Sequence, residues 1–116
     1  MARSKAEWVL RFKHDTAQYV VGLQKELQLA AELVSSAISV ALSQSELDNL
    51  RELYRLAHTI KGSAAMVDQL EIARLAQQLE QIAGESYRAK TPLSTSQCEA
   101  AQLLIAQIQS GLEAIG

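Results

Sequence analysis

Cysteine and proline each occur once in this chain, and among its 116 residues there are one Trp, three Tyr and one Phe. A single cysteine, Cys98, excludes an intramolecular disulfide. With only two histidines, far apart in sequence, and no cysteine cluster, a metal centre is not expected. Charge of one sign is missing as well: 11 basic and 13 acidic residues give a formal net charge of −2 and are spread along the chain. That balance leaves no electrostatic footprint for nucleic acid. No apolar run approaches the 18 or so residues of a membrane span, and Met1 to Trp8 contain no continuous apolar segment of the signal-peptide kind. The reading is a soluble, cytoplasmic protein whose membrane association, if any, comes through a partner.

What remains is Ala, Leu and other helix formers, with 48% apolar residues and almost no helix breakers, the composition of a helical bundle. The expected fold is all-α: an antiparallel four-helix bundle with a short extra N-terminal helix, one domain over residues 1–116. Ser4 with Glu7 is a capping-box pattern opening the short helix around Trp8, Val9 and Phe12. His14-Asp15 is read as interrupting it, His14 itself being a solvated polar residue. A longer helix is expected over about 16–41, on the stripe Tyr19, Leu23, Leu27, Ala30, Val34, Ile38 and Ala41, with Ser35-Ser36 as a bend or early end.

Ser43 with Glu46 caps the next helix, whose stripe Leu47, Leu50, Leu53, Ala57, Ile60, Ala64 and Val67 ends near Met66. Asp68 with Glu71 opens another, packed through Ile72, Leu75, Ala76, Leu79 and Ile82-Ala83 and stopped by Gly84. Residues 85–95, with Pro92, read as the one clear loop. Ser96 with Glu99 then caps a last helix carrying Ala101, Leu104 or Ile105, Ile108, Leu112 and Ile115. Cys98, beside Ala100 and Ala101, reads as a small buried hydrophobe.

Within this plan the run Leu53 to Val67 stands out. His58, Lys61, Gly62 and Ala65 share one helix face through their three- and four-residue spacing, so that face offers an imidazole, a cation and no bulk. His58 lies off the centre of the apolar stripe and should be accessible. Gly inside a helix costs roughly 1 kcal/mol relative to Ala, so Gly62 suggests that something anionic approaches the backbone closely. Gly22 shows the limit of that argument, since helix packing alone explains it. His58 sits about ten residues before the Val67-Asp68 turn, roughly 15 Å at 1.5 Å per residue. The same distance back along the following helix reaches Gln77 to Glu80.

The segment Ala57-His58-Thr59-Ile60-Lys61-Gly62-Ser63-Ala64 resembles the signature of histidine-containing phosphotransfer (HPt) domains. Through Met66-Val67 and Leu75-Ala76-Gln77-Gln78-Leu79-Glu80 it is similar to the N-terminal phosphotransfer domain of chemotaxis-type histidine kinases. The resemblance covers about residues 50–83. It implies that His58 carries a phosphoryl group, that Lys61 assists, and that Glu80, in the Leu-x-x-Leu-Glu pattern, accepts from Nδ1 and leaves Nε2 to react. Where the family often has a second His, this chain has Gln77, which hydrogen-bonds but does not titrate. Where the family usually has Gly at the turn, it has Asp68, a residue that tolerates the left-handed conformation and can cap the next helix.

The chemistry fits the residue types. Imidazole, with an ordinary pKa of about 6.5, is a nucleophile near neutral pH, and phosphoryl transfer asks chiefly for positioning and charge stabilisation. Gly62 and Ala65 supply space for a partner; Arg55, Thr59 and Met66 are candidate partner contacts, although Arg51 and Arg55 also suit an ordinary solvated face, and Met66 turn packing. No nucleotide loop, cofactor motif or room for an ATP-binding domain is present, so the chain is read as a phosphocarrier and not as an enzyme. Its partners would be a response-regulator receiver domain and a histidine kinase catalytic domain, met as a monomer through contacts near or below about 1,200 Å². A further reading makes these residues the beginning of a longer chemotaxis-type kinase. The other reading is a helical adaptor that binds a receiver or kinase without being phosphorylated.

Overall fold

The computed structural model describes residues 4–34 and 42–115. Four helices follow one another: α1 (Lys5–Val34), α2 (Gln44–Met66), α3 (Leu70–Ala89) and α4 (Thr95–Glu113), with no strand among the described residues. Each helix packs on two neighbours in the cyclic order α1, α2, α3, α4. The ion pair of Lys5 with Asp68 at the α2–α3 turn sets α1 antiparallel to α2, and Lys13 Nζ donating to the Ile115 carbonyl (2.6 Å) sets α4 antiparallel to α1. The all-α, antiparallel four-helix bundle is therefore as the sequence reads.

The short extra N-terminal helix is a correction: α1 is one continuous helix of 30 residues. Ser4 does cap it, its Oγ accepting from the Glu7 amide at 3.3 Å, but His14 and Asp15 do not break it. Both are exposed, and Asp15 pairs with Arg11 one turn earlier, which supports a helix locally. The buried positions Phe12, Thr16, Val20, Leu23, Leu27 and Ala30 keep helical phase through the supposed break. The expected stripe members Ile38 and Ala41 and the Ser35-Ser36 bend lie outside the described residues.

Helix α2 opens at Ser43, whose side chain accepts from the Glu46 amide, and buries Leu50, Leu53, Leu56, Ala57, Ile60 and Ala64. It closes with Gln69 N–H on the Ala64 carbonyl and Asp68 N–H on the Ala65 carbonyl, Asp68 taking φ 60°. That closure is the Schellman pattern, with Asp in the position that favours glycine. Asp68 is not the cap expected of it. The residue flanking α3 is Gln69, with no side-chain capping bond, and the Asp68 carboxylate turns to Lys5.

Gly84 does not stop α3, which runs on to Ala89 and ends at Lys90 in the left-handed region, φ 57°. The expected loop over 85–95 accordingly shrinks to residues 90–94. The last helix starts earlier than Ser96: Ser94 Oγ accepts from the Gln97 amide at 3.1 Å while Gln97 Oε1 accepts from the Ser94 amide at 2.8 Å, a complete capping box. Its buried positions are Cys98, Ala101, Leu104, Ile105, Ile108 and Leu112. Gly22 marks a close helix approach, since a Cβ there would lie 3.0 Å from Leu56 Cδ1.

Candidate functional site

The antiparallel pairing of α2 and α3 puts the site together. Ala57 and Ile60, fully buried, fix the rotation of α2, and the residue between them that follows Ala57 necessarily turns to the rim. There the His58 side chain keeps 59% of its surface open. Across the groove, fully buried Leu79 fixes α3, which brings the next residue, Glu80, to the same rim at 14% side-chain exposure. His58 Nδ1 lies 3.1 Å from Glu80 Oε2.

Lys61, one turn after His58, donates to the same carboxylate, with Nζ 2.9 Å from Oε2 and 3.1 Å from Oε1. Partial burial by itself pushes the Glu80 carboxyl up; the hydrogen bonds from Lys61 and His58, together with their charges, outweigh it and hold the group below its ordinary value of 4.5. Glu80 is thus an anion at neutral pH. An ionised carboxylate only accepts, so its bond to the imidazole requires a proton on Nδ1 and leaves the lone pair of the neutral ring on Nε2.

Around this trio the surface is low. A Cβ built on Gly62 would meet nothing within 4 Å, and Ala65 is exposed beside it. Gly62 therefore answers no packing need within the described residues. Thr59 Oγ1 donates back to the Arg55 carbonyl at 2.9 Å, and the Arg55 guanidinium is engaged by Glu52 through Nε (2.8 Å) and Nη2 (2.5 Å). Met66 stands 87% exposed at the end of the helix. Gln77 is exposed on α3, one turn before Glu80, and its side chain makes no hydrogen bond among the described residues. The structure thus joins His58, Lys61 and Glu80 directly, lays Gly62 and Ala65 beside them, and leaves Arg55, Thr59, Met66 and Gln77 outside that hydrogen-bond network.

One residue at the site escapes sequence reasoning. Tyr54, one turn before His58, stacks on its ring with centroids 6.0 Å apart and planes at 13°. An aromatic four residues before the histidine is the only signal the sequence carries for it. Among the described residues no group of His, Cys, Asp and Glu is placed to hold a metal ion, and no helix is long and apolar enough to cross a membrane.

The fold and the site together make a class: a four-helix bundle with one exposed imidazole held at its rim by a single nitrogen. The comparison with family models gives that class its name: the Hpt domain model matches residues 7–113, and the chain belongs to the Hpt family. Hpt domains are phosphocarriers without catalytic activity of their own, acting with receiver domains and kinases in the phosphotransfer of two-component signalling. No curated protein and no solved structure matches the chain.

Proposed function

We propose that His58 is the residue that carries the phosphoryl group, exchanging it with an aspartate of a response-regulator receiver domain in the cytoplasm. The observation that supports this most directly is the shared carboxylate: Glu80 binds Nδ1 of an exposed imidazole on one side and Lys61 on the other. In the forward step the Nε2 lone pair forms the P–N bond as the P–O bond of the aspartyl phosphate breaks. The electron pair of that bond stays with the receiver's carboxylate. Nδ1 keeps its proton, and the positive charge that develops on the ring faces the Glu80 anion. The reverse step returns the phosphoryl group by the same path.

Lys61 has a double part in this reading. It holds Glu80 ionised, and it lies one turn from the transferring group, where charge stabilisation counts most. Gly62 and Ala65 give the receiver's loops room, and Arg55, Thr59 and Met66 border its footprint. The similarity of Met66-Val67 and Leu79-Glu80 to chemotaxis-type kinases supports a place beside a kinase catalytic domain that supplies the phosphate.

The test is phosphorylation of wild type and His58→Gln by receivers charged with acetyl phosphate, read by intact mass without acid. One added phosphoryl group on the wild type alone is the expected result. No added phosphoryl group on either protein, with receiver binding retained, would replace the carrier by an adaptor.

A further inference from the structure

The imidazole is held at one atom by Glu80, and one hydrogen bond leaves the ring free to tilt about it. A nitrogen lone pair lies in the ring plane, so tilt moves the line along which Nε2 meets phosphorus. Something must set the plane. The flat face of Tyr54 lies 6.0 Å, centroid to centroid, from that of His58 and only 13° from parallel to it. This is an offset stack within the usual 4.5–7 Å range.

The tyrosine ring is seated in its turn by α3. A Cβ on Gly84 would come within 3.2 and 3.3 Å of Tyr54 Cδ2 and Cε2, closer than ordinary contact, and 3.1 Å from Arg88 Nη1, the far end of a flexible side chain that can swing aside. The absence of a side chain at a buried helix-interior position is what lets the ring lie against α3. Two residues one turn apart on α2, His58 and Tyr54, thus meet two residues one turn apart on α3, Glu80 and Gly84. The first pair of contacts fixes a ring atom and the second fixes a ring plane.

We propose that Tyr54 is a positioning residue for His58, holding the imidazole plane for in-line attack, with Gly84 as its seat. The proposal rests on His58 being the phosphoryl acceptor. It assigns the aromatic face, not the phenol hydroxyl, so phenylalanine should serve as well.

The experiment compares wild type, Tyr54→Phe, Tyr54→Leu and Gly84→Ala. NMR follows the His58 ring protons, and single-turnover transfer from a receiver charged with acetyl phosphate gives a maximal rate and a half-saturating receiver concentration. Tyr54→Phe should match wild type in both. Tyr54→Leu should move the ring-proton resonances as the ring current is lost and lower the maximal rate roughly tenfold, with half-saturation unchanged. Gly84→Ala, which pushes the same ring from α3, should move the same resonances, and it keeps the idea open to test if Tyr54→Leu folds poorly. An unchanged maximal rate in Tyr54→Leu overturns the proposal whatever the spectrum does, as does a change confined to half-saturation, which would make Tyr54 a docking contact. A wild type that takes no phosphate overturns the acceptor reading along with this one, whereas a phosphorylated wild type equalled by Tyr54→Leu overturns this one alone.

Discussion

Glu80 concentrates the electrostatics of the site in one side chain. Its folded pKa is depressed below 4.5, against the upward push of burial, because Lys61 and His58 both donate to it. A depressed carboxylate contributes stability above its unfolded pKa and loses that contribution as pH falls through the folded value. Glu80→Gln should therefore cost about 1 kcal/mol near pH 7, and melting curves of variant and wild type should converge as pH falls below the carboxyl's ordinary 4.5 and through its depressed folded value. The same substitution should release the bias of the His58 ring toward a proton on Nδ1, visible in its nitrogen resonances. Parallel melting curves at all pH values would show that the carboxylate is not stabilised as described.

At the scale of the element, α2 carries a defect that its own fold does not require. Gly62 is exposed with open space where a side chain would be, so Gly62→Ala should stabilise the helix by about 1 kcal/mol and raise the melting temperature by about 4 °C. A larger residue, as in Gly62→Leu, should leave the melt near that of Gly62→Ala while slowing transfer to a receiver. Equal transfer by both variants would mean that no partner comes close to this turn. The sequence makes this helix legible because its caps and apolar phase agree, and the register of a tight helix hairpin then brings residues near 58 and 80 together by arithmetic. Gly84 defeats the same reasoning. A glycine at the end of an apolar stripe looks like a stop, and only the packed neighbour reveals that it accommodates the Tyr54 ring. The left-handed positions are Asp68, at the turn where the sequence places it, and Lys90, a residue that carries no stop signal. Ser94 and Ser96 show a related ambiguity, since both stand three residues before a Gln or Glu and only the hydrogen bonds distinguish them.

For the whole molecule, the number of helices turns on α1. A polar pair in the sequence looks like a break, but a 30-residue helix is held by what it packs against rather than by local preference, and His14-Asp15 lies on the side facing water. The contact of α1 with α2 also contains a polar cost. Glu26 Oε2 is enclosed without a hydrogen-bond partner among the described residues. Burial pushes its pKa up, Lys25 opposes this and Glu52 on α2 adds to it, with the net shift upward from 4.5. A raised carboxyl favours the folded state below its unfolded pKa and loses that advantage as pH rises through the folded value. Glu26→Gln should raise the melting temperature near pH 7 by about 2–4 °C, and the gain should vanish near pH 4, the reverse of Glu80→Gln. A gain independent of pH would trace the effect to packing instead of charge.

The residues joined at the site, His58, Tyr54, Lys61, Glu80 and Gly84, all lie on the α2–α3 hairpin, while α1 and α4 close the bundle from behind. Chemistry and scaffold are therefore separable. The two outer helices can vary in sequence as long as they cover Leu53, Ile60 and Leu79, and the hairpin can be transplanted to another antiparallel bundle with the His58 imidazole already held by Glu80 and stacked on Tyr54.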